Sequence, residues 1–402
     1  MSAQTKSKWT LSILAALLLA VCGGGAVATE SSGSHAASAP SSTFKARHDG
    51  HKHEFRKLVV FGDSLSDVGS YRTAGIAAVG GGEYTVNGKP HRNWTARLAS
   101  ELDLRQPCPA RTGLNSTGPL AFFAQAIADH AGCFNYAQGG ARVTNPVGPA
   151  NAALLAVGNP DGFLGQLTNP ILDQVSRHLA VSGGRFGSRD VVAVLAGGND
   201  VFMNLAAIGP SGITPEQAVF AMAQAGAELA GYVNNLIVAY GAKRVIVVNL
   251  SDVGTSIFAR SLPPELQGLI SLMSSTFNDQ LGAGVSGTQG VLLVDEFSAS
   301  RDRIANPAKY GLRNVNDTAC DLTRTPFRSS LVCSTPGTVI PGNIKHHLFS
   351  DTVHPTPYGY RLLAEQVVDR MRQAGWLGKA GRRLDDDDDA DHGHSSQARA
   401  MH

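Results

Sequence analysis

From about residue 55 onward, short apolar runs alternate with longer amphipathic stretches, and each short run stops at glycine or a polar turn. Residues 57–61 end at Gly62, residues 134–137 run into Gly139-Gly140, and residues 190–196 stop at Gly197-Gly198. Residues 244–250 and 291–295 are of the same kind. Unbroken apolar runs of this length, rich in β-branched residues, predict strands buried on both faces, as in a parallel sheet. The stretches between them predict helices. Asn93 serves as N-cap for one through Trp94, Leu98 and Leu102, which share a face. Thr214-Pro215-Glu216 opens a second, with Thr at the N-cap and Pro at the first helical position, running to about Tyr240 before Gly241. Two more are expected near residues 265–281 and 357–374. This alternation predicts one doubly wound α/β sheet with helices on both faces, and sites in such sheets lie at the carboxyl ends of the strands.

The two ends break the pattern. Residues 1–28 read as an export leader, because Lys6 and Lys8 precede an apolar stretch at 9–21 that is short for a bilayer span. Two exits compete. Ala26-Val27-Ala28 offers a small-x-small cleavage site that frees the chain at Thr29. Leu19-Ala20-Val21-Cys22 resembles a bacterial lipobox, which would anchor a lipoprotein at Cys22 and bring it against a membrane surface. An exported protein, secreted or periplasmic, is therefore expected, with the Cys22 lipoprotein as the alternative. Residues 29–54 read as a disordered Ser/Ala/His-rich linker. Residues 379–402 read as a disordered Asp/His-rich tail with five consecutive aspartates at 385–389. The folded domain is then 55–378.

Charge narrows the partners. The 402 residues carry 34 basic and 32 acidic side chains, and loss of Lys6 and Lys8 with the leader would balance them. A neutral chain has no electrostatic footprint for nucleic acid. Beyond Cys22 stand four cysteines, and an even number in an exported chain points to two disulfides with three possible connectivities. Local pairing, Cys108–Cys133 and Cys320–Cys333, closes the shortest loops and is the expected one. No C-x-x-C spacing supports zinc or haem, so no metal and no cofactor is expected.

Four polar clusters carry the candidate chemistry. Phe61-Gly62-Asp63-Ser64-Leu65-Ser66-Asp67 follows the first strand. A serine there can expose its hydroxyl beside free N–H groups that stabilise developing negative charge, although a helix cap uses the same residue types. Asn135-Tyr136-Ala137-Gln138-Gly139-Gly140-Ala141 follows the second, where glycine lets a backbone N–H approach a substrate oxygen. Gly197-Gly198-Asn199-Asp200 places an amide donor at a third strand end. Ser350-Asp351-Thr352-Val353-His354-Pro355-Thr356-Pro357 holds Asp and His three apart in a loop bounded by prolines. Histidine is the usual general base for a serine nucleophile, and a carboxylate fixes its tautomer.

In that order the four blocks resemble the SGNH/GDSL family of serine esterases and lipases, over about residues 57–375. The long first block is similar to the branch of bacterial secreted lipases, autotransporter esterases and glycerophospholipid acyltransferases. The resemblance implies a flavodoxin-like three-layer α/β/α sandwich around a central, mostly parallel sheet, the SGNH hydrolase fold. It also implies metal-free hydrolysis of acyl esters. Ser64 would be the nucleophile, His354 its base and later acid, and Asp351 the group that orients His354. The oxyanion donors would be the Ser64 N–H, the Gly140 N–H and the Asn199 amide. Gly139 stands as the alternative to Gly140, because a double glycine leaves the register open. Asp63 is expected to brace the turn. The chain lacks the G-x-S-x-G elbow of the α/β-hydrolases.

The expected activity is cleavage of small-molecule or lipid acyl esters through an acyl-enzyme on Ser64. An acyltransferase that passes the acyl group from a lipid ester to an alcohol would use the same site. A non-catalytic surface-binding protein on the same fold is the third reading. The oligomeric state is left open.

Overall fold

The computed structural model describes residues 55–88, 93–334, 337–342 and 344–377. The leader with Cys22, the linker at 29–54 and the tail at 379–402 lie outside the described residues. The strands are β1 Lys57–Gly62, β2 Arg111–Leu114, β3 Gln125–Asp129, β4 Asp190–Leu195, β5 Val245–Val248, β6 Val291–Val294, β7 Asn314–Thr318 and β8 His347–Phe349. The α-helices are α1 Ala74–Ala78, α2 Trp94–Glu101, α3 Ile171–Val181, α4 Gly198–Ala206, α5 Pro215–Tyr232, α6 Ile257–Arg260, α7 Pro264–Val285, α8 Glu296–Ala305 and α9 Pro357–Gln373.

β1, β4, β5 and β6 form the central sheet in the order β1-β4-β5-β6, and every pair in it is parallel. Strand side chains alternate between faces, and both faces here are apolar. Val59, Phe61, Val192, Val194, Val245 and Val247 pack with α3, α5 and α7 on one side. Leu58, Val60, Val191, Ala193, Ile246 and Val248 pack with α2 and α9 on the other. The result is the three-layer α/β/α sandwich. The stretch expected as a strand at 134–137 is reduced to isolated parallel bridges of Asn135, with Val60 on one side and Pro109 on the other. It still carries a parallel ladder along the outer edge of β1, in which Val60 N–H donates to Phe134, Tyr136 N–H to Val60 and Gln138 N–H to Gly62. With that edge counted, the spatial order becomes the 2-1-3-4-5 of flavodoxin-like sheets.

Local chemistry explains most element ends. Asn93 accepts the Thr95 N–H as N-cap of α2, and Thr214 and Gln217 close a reciprocal capping box on α5. The helix expected to reach Tyr240 loosens instead into a π-helical turn at Val233–Val238. Disulfides join Cys108 to Cys133 and Cys320 to Cys333. Among the described residues no helix is long and apolar enough to cross a membrane.

Candidate active site

β1 is held at its carboxyl end by a side chain from α3. Gln174, fully enclosed, accepts the Gly62 N–H (2.9 Å) and donates to the Gly62 carbonyl (2.8 Å), which fixes where the next turn begins. A Cβ on Gly62 would lie 2.7 Å from the Leu195 carbonyl, so only glycine lets β1 and β4 end side by side there. The turn then presents Ser64. Its Oγ lies 2.9 Å from Nε2 of His354, whose Nδ1 lies 2.8 Å from Oδ2 of Asp351. Asp351 is buried, and it accepts N–H groups from Val353, His354 and Ser330 (3.0, 2.8 and 2.9 Å). Burial alone would raise the Asp351 carboxyl. The His354 charge and these hydrogen bonds outweigh it and hold the group well below the usual carboxylate range.

Beside Ser64 lie the candidate oxyanion donors. Gly139 N–H is already spent on Oδ2 of Asp67 (3.0 Å), whereas no hydrogen bond among the described residues engages the N–H of Ser64 or Gly140. Gly140 sits at φ +79°, and a Cβ there would lie 2.7 Å from the Pro149 carbonyl. Asn199 is at the start of α4, and its Nδ2 donates one proton to the Ala141 carbonyl (2.9 Å), which leaves the second for another acceptor. Asp200 beside it ties the third block to the second, accepting from Arg142 Nε (2.9 Å) and the Val143 N–H (3.0 Å). Burial pushes Asp200 upward against the pull of Arg142.

Two further carboxylates stand in the first block. Asp63 accepts the Leu65 N–H (2.9 Å), as a brace of the turn would. Burial pushes its carboxyl up to about 7, against that N–H and the His354 charge. Burial likewise raises Asp67 to about 6, although it also accepts from Gly69 and Ser70 (2.9 and 2.7 Å).

A cavity of about 110 Å³, partly open to solvent, begins at Ser64, Asn199 and His354 and follows the strand ends toward α8. Leu195, Phe202, Leu250, Val253, Ile304 and Leu348 line it. Among the described residues, no three His, Cys, Asp or Glu side chains cluster as a metal site would need.

Residues 58–367, the span that supplies all of these groups, match the family described as GDSL-like Lipase/Acylhydrolase. The chain belongs to that family. Curated GDSL relatives include the GDSL esterase/lipase APG of Arabidopsis thaliana, 27% identical over 33% of this chain and 40% of the relative. GDSL esterase/lipase EXL2 of the same plant is 26% identical over 33% and 37%. The match thus spans about two fifths of the length of these relatives. Similar solved structures include the LAE5 α/β hydrolase from the metagenome of Lake Arreo, at 15% identity over 80% of this chain and 98% of that one, with a TM-score of 0.36. The lipase/acylhydrolase of Enterococcus faecalis matches at 16% over 80% and 97%, with a TM-score of 0.32.

Within this GDSL fold, Ser64, His354 and Asp351 form one line of contacts and Asn199 borders the same cavity, and four residues that sequence reasoning did not use support this arrangement. Gln174 grips the strand end and Asp67 occupies the Gly139 N–H. Tyr84 lays its ring against His354, with centroids 4.9 Å apart. Ser330, inside the loop closed by Cys320–Cys333, gives its N–H to Asp351. Asp67 stood inside the first block and was readable as a candidate; nothing local marked Tyr84, Gln174 or Ser330.

Proposed function

We propose that the protein is an exported carboxylic ester hydrolase acting through an acyl-enzyme on Ser64. The observation that carries this reading is the unbroken line from Ser64 Oγ through His354 to Asp351, set beside two unengaged backbone N–H groups and the Asn199 amide. His354 Nε2 takes the Ser64 proton as Oγ bonds to the ester carbon. Asp351 holds the proton on Nδ1 and steadies the imidazolium. The carbonyl electrons move onto oxygen, where the Ser64 N–H, the Gly140 N–H and the Asn199 amide meet the new charge. Collapse breaks the ester bond, and His354 returns its proton to the departing alcohol. Water, deprotonated by His354, then releases the acid and frees Ser64.

The cavity along the strand ends suits the acyl side of the ester, because Leu195, Phe202, Leu250, Val253, Ile304 and Leu348 give it a mostly apolar wall, with Ser256, Ser300 and Arg303 among its polar members. Two disulfides fit a chain that matures outside the reducing cytosol. The test combines a fluorophosphonate probe with a panel of acyl esters of rising chain length. Labelling of Ser64 with loss of hydrolysis supports the assignment, and a folded Ser64→Ala protein with full activity overturns it.

A further inference from the structure

The opposite edge of the sheet, where the strands begin, carries a second and wider hollow. It holds about 870 Å³, open to solvent, between the first residues of β1 and β4, residues 105–108 after α2, and residues 181–189 at and after the end of α3. Five basic residues line it: Arg56, Lys57, Arg105, Arg185 and Arg189. Its one carboxylate, Asp190, is buried and already holds Lys57 (3.3 Å) and the Gly187 N–H (2.8 Å). The four arginines are exposed, and no ion pair engages them among the described residues. In a chain with a formal charge of only +2, this is a concentrated positive field.

The opposite charge lies in the chain beyond α9. That helix ends at this same edge: Arg372 in its last turn bonds Glu101 at the end of α2 (2.6 Å), four residues before Arg105. Beyond Leu377, seven residues lead to the aspartates at 385–389, and Asp391 follows. The eight steps from Leu377 to Asp385 span at most about 29 Å when extended. Arg105, which lines the hollow, stands four residues after the Glu101 that Arg372 holds.

We propose that this hollow is the docking site of the chain's own acidic segment, residues 385–391, gripped by Arg56, Arg105, Arg185 and Arg189. A single exposed Arg–Asp pair holds little. A tethered block of carboxylates acts at an effective concentration in about the millimolar range, and arginine forks accept carboxylates two oxygens at a time. The contact is electrostatic and yields to salt. It is independent of Ser64 and of the proposed hydrolysis.

The test places spin labels on Ser188→Cys and Ala390→Cys in the full chain carrying Cys22→Ser, and measures their separation by pulsed electron paramagnetic resonance. Docking gives a narrow population at short distance. It should broaden in about 1 M salt, where the screening length falls to about 3 Å. Arg185→Glu with Arg189→Glu should broaden it too, as should replacement of the five aspartates by asparagine, which leaves the folded domain untouched. A broad distribution indifferent to salt and to both variants overturns the proposal. So does sedimentation of the full chain with phosphatidylglycerol vesicles that the arginine reversals abolish, since the hollow would then serve an outside anionic surface.

Discussion

At the carboxyl edge of the sheet, Asp63, Asp67, Asp200 and Asp351 are all buried, and each accepts at least one backbone N–H. At the amino edge, the side chains of Arg56, Arg105, Arg185 and Arg189 are exposed without an ion-pair partner among the described residues. Burying a carboxylate costs free energy unless hydrogen bonds replace its water. A cluster of four therefore survives only where those bonds fix the backbone, and here they fix the turns around Ser64, Gly139 and His354. The exposed arginines fix nothing. They offer charge to whatever approaches.

Breaking the carboxyl edge should have the larger effect on chemistry. His354→Ala is expected to lower kcat by roughly 10³–10⁶-fold, while Arg185→Glu leaves kcat unchanged. Steady-state kinetics on one ester compares them, and equal losses would erase the division between the edges.

Next comes Asn199. Removing one oxyanion donor costs roughly 10²–10³ in kcat. Asn199→Asp should be worse than Asn199→Ala, because it sets a carboxylate against the developing oxyanion. Asp caps a helix about as well as Asn. A folded Asn199→Asp enzyme with normal kcat would leave Asn199 as a helix-start residue only.

The disulfides sharpen the contrast, because one sits at each edge. Cys108 lines the basic hollow, whereas Cys320–Cys333 closes the loop that carries Ser330. Replacing either pair by serine should cost about 3 kcal/mol of stability from chain entropy. Only the Cys320/Cys333 pair should also slow turnover. A hydrogen bond to a charged group is worth about 1.5–3 kcal/mol, so loosening Ser330 from Asp351 lowers kcat by up to about 100-fold. Matched unfolding and rate measurements decide.

Stability against pH shows opposite signs in two regions. Burial raises Asp63 from 3.8 to about 7, so the folded chain keeps a proton that the unfolded chain sheds. Stability then falls as pH rises from about 4 to 7, by on the order of 4 kcal/mol, and Asp63→Asn removes that slope. His178, packed against Phe134 and Phe186, is lowered by burial from 6.5 to about 4. The unfolded chain takes up a proton there that the folded chain refuses, so stability falls as pH drops from 6.5 to 4. His178→Gln should flatten that limb. Denaturation midpoints between pH 4 and 8 read both, and superimposable profiles for the three proteins would contradict both assignments.

The sheet and the four blocks were legible in sequence because apolar runs ending in glycine mark buried parallel strands. α3 was not. Its inward positions are Ile171, Gln174, Val175 and His178, and two polar residues at that spacing hide an otherwise regular apolar face. The hairpin of β2 and β3 was missed for a different reason, since β3 is exposed along its whole length and has no inward pattern to read. The double glycine stayed ambiguous because its register depends on Asp67, reaching across 72 positions to occupy one of the two N–H groups. Tyr84 and Ser330 act on the same loop from distant segments, and no local spacing announces such contacts.

The hydrogen bond between Ser64 and His354 joins positions 290 apart. Contacts of that range form late, after most of the chain exists to be folded. A growing chain that already displays Ser64 has neither His354 nor Asp351 yet, and α9 comes later still. On the proposed mechanism, the Ser64 hydroxyl has no base until residues 351–354 have been made and folded back. Latency during synthesis would then follow from chain order and need no inhibitor.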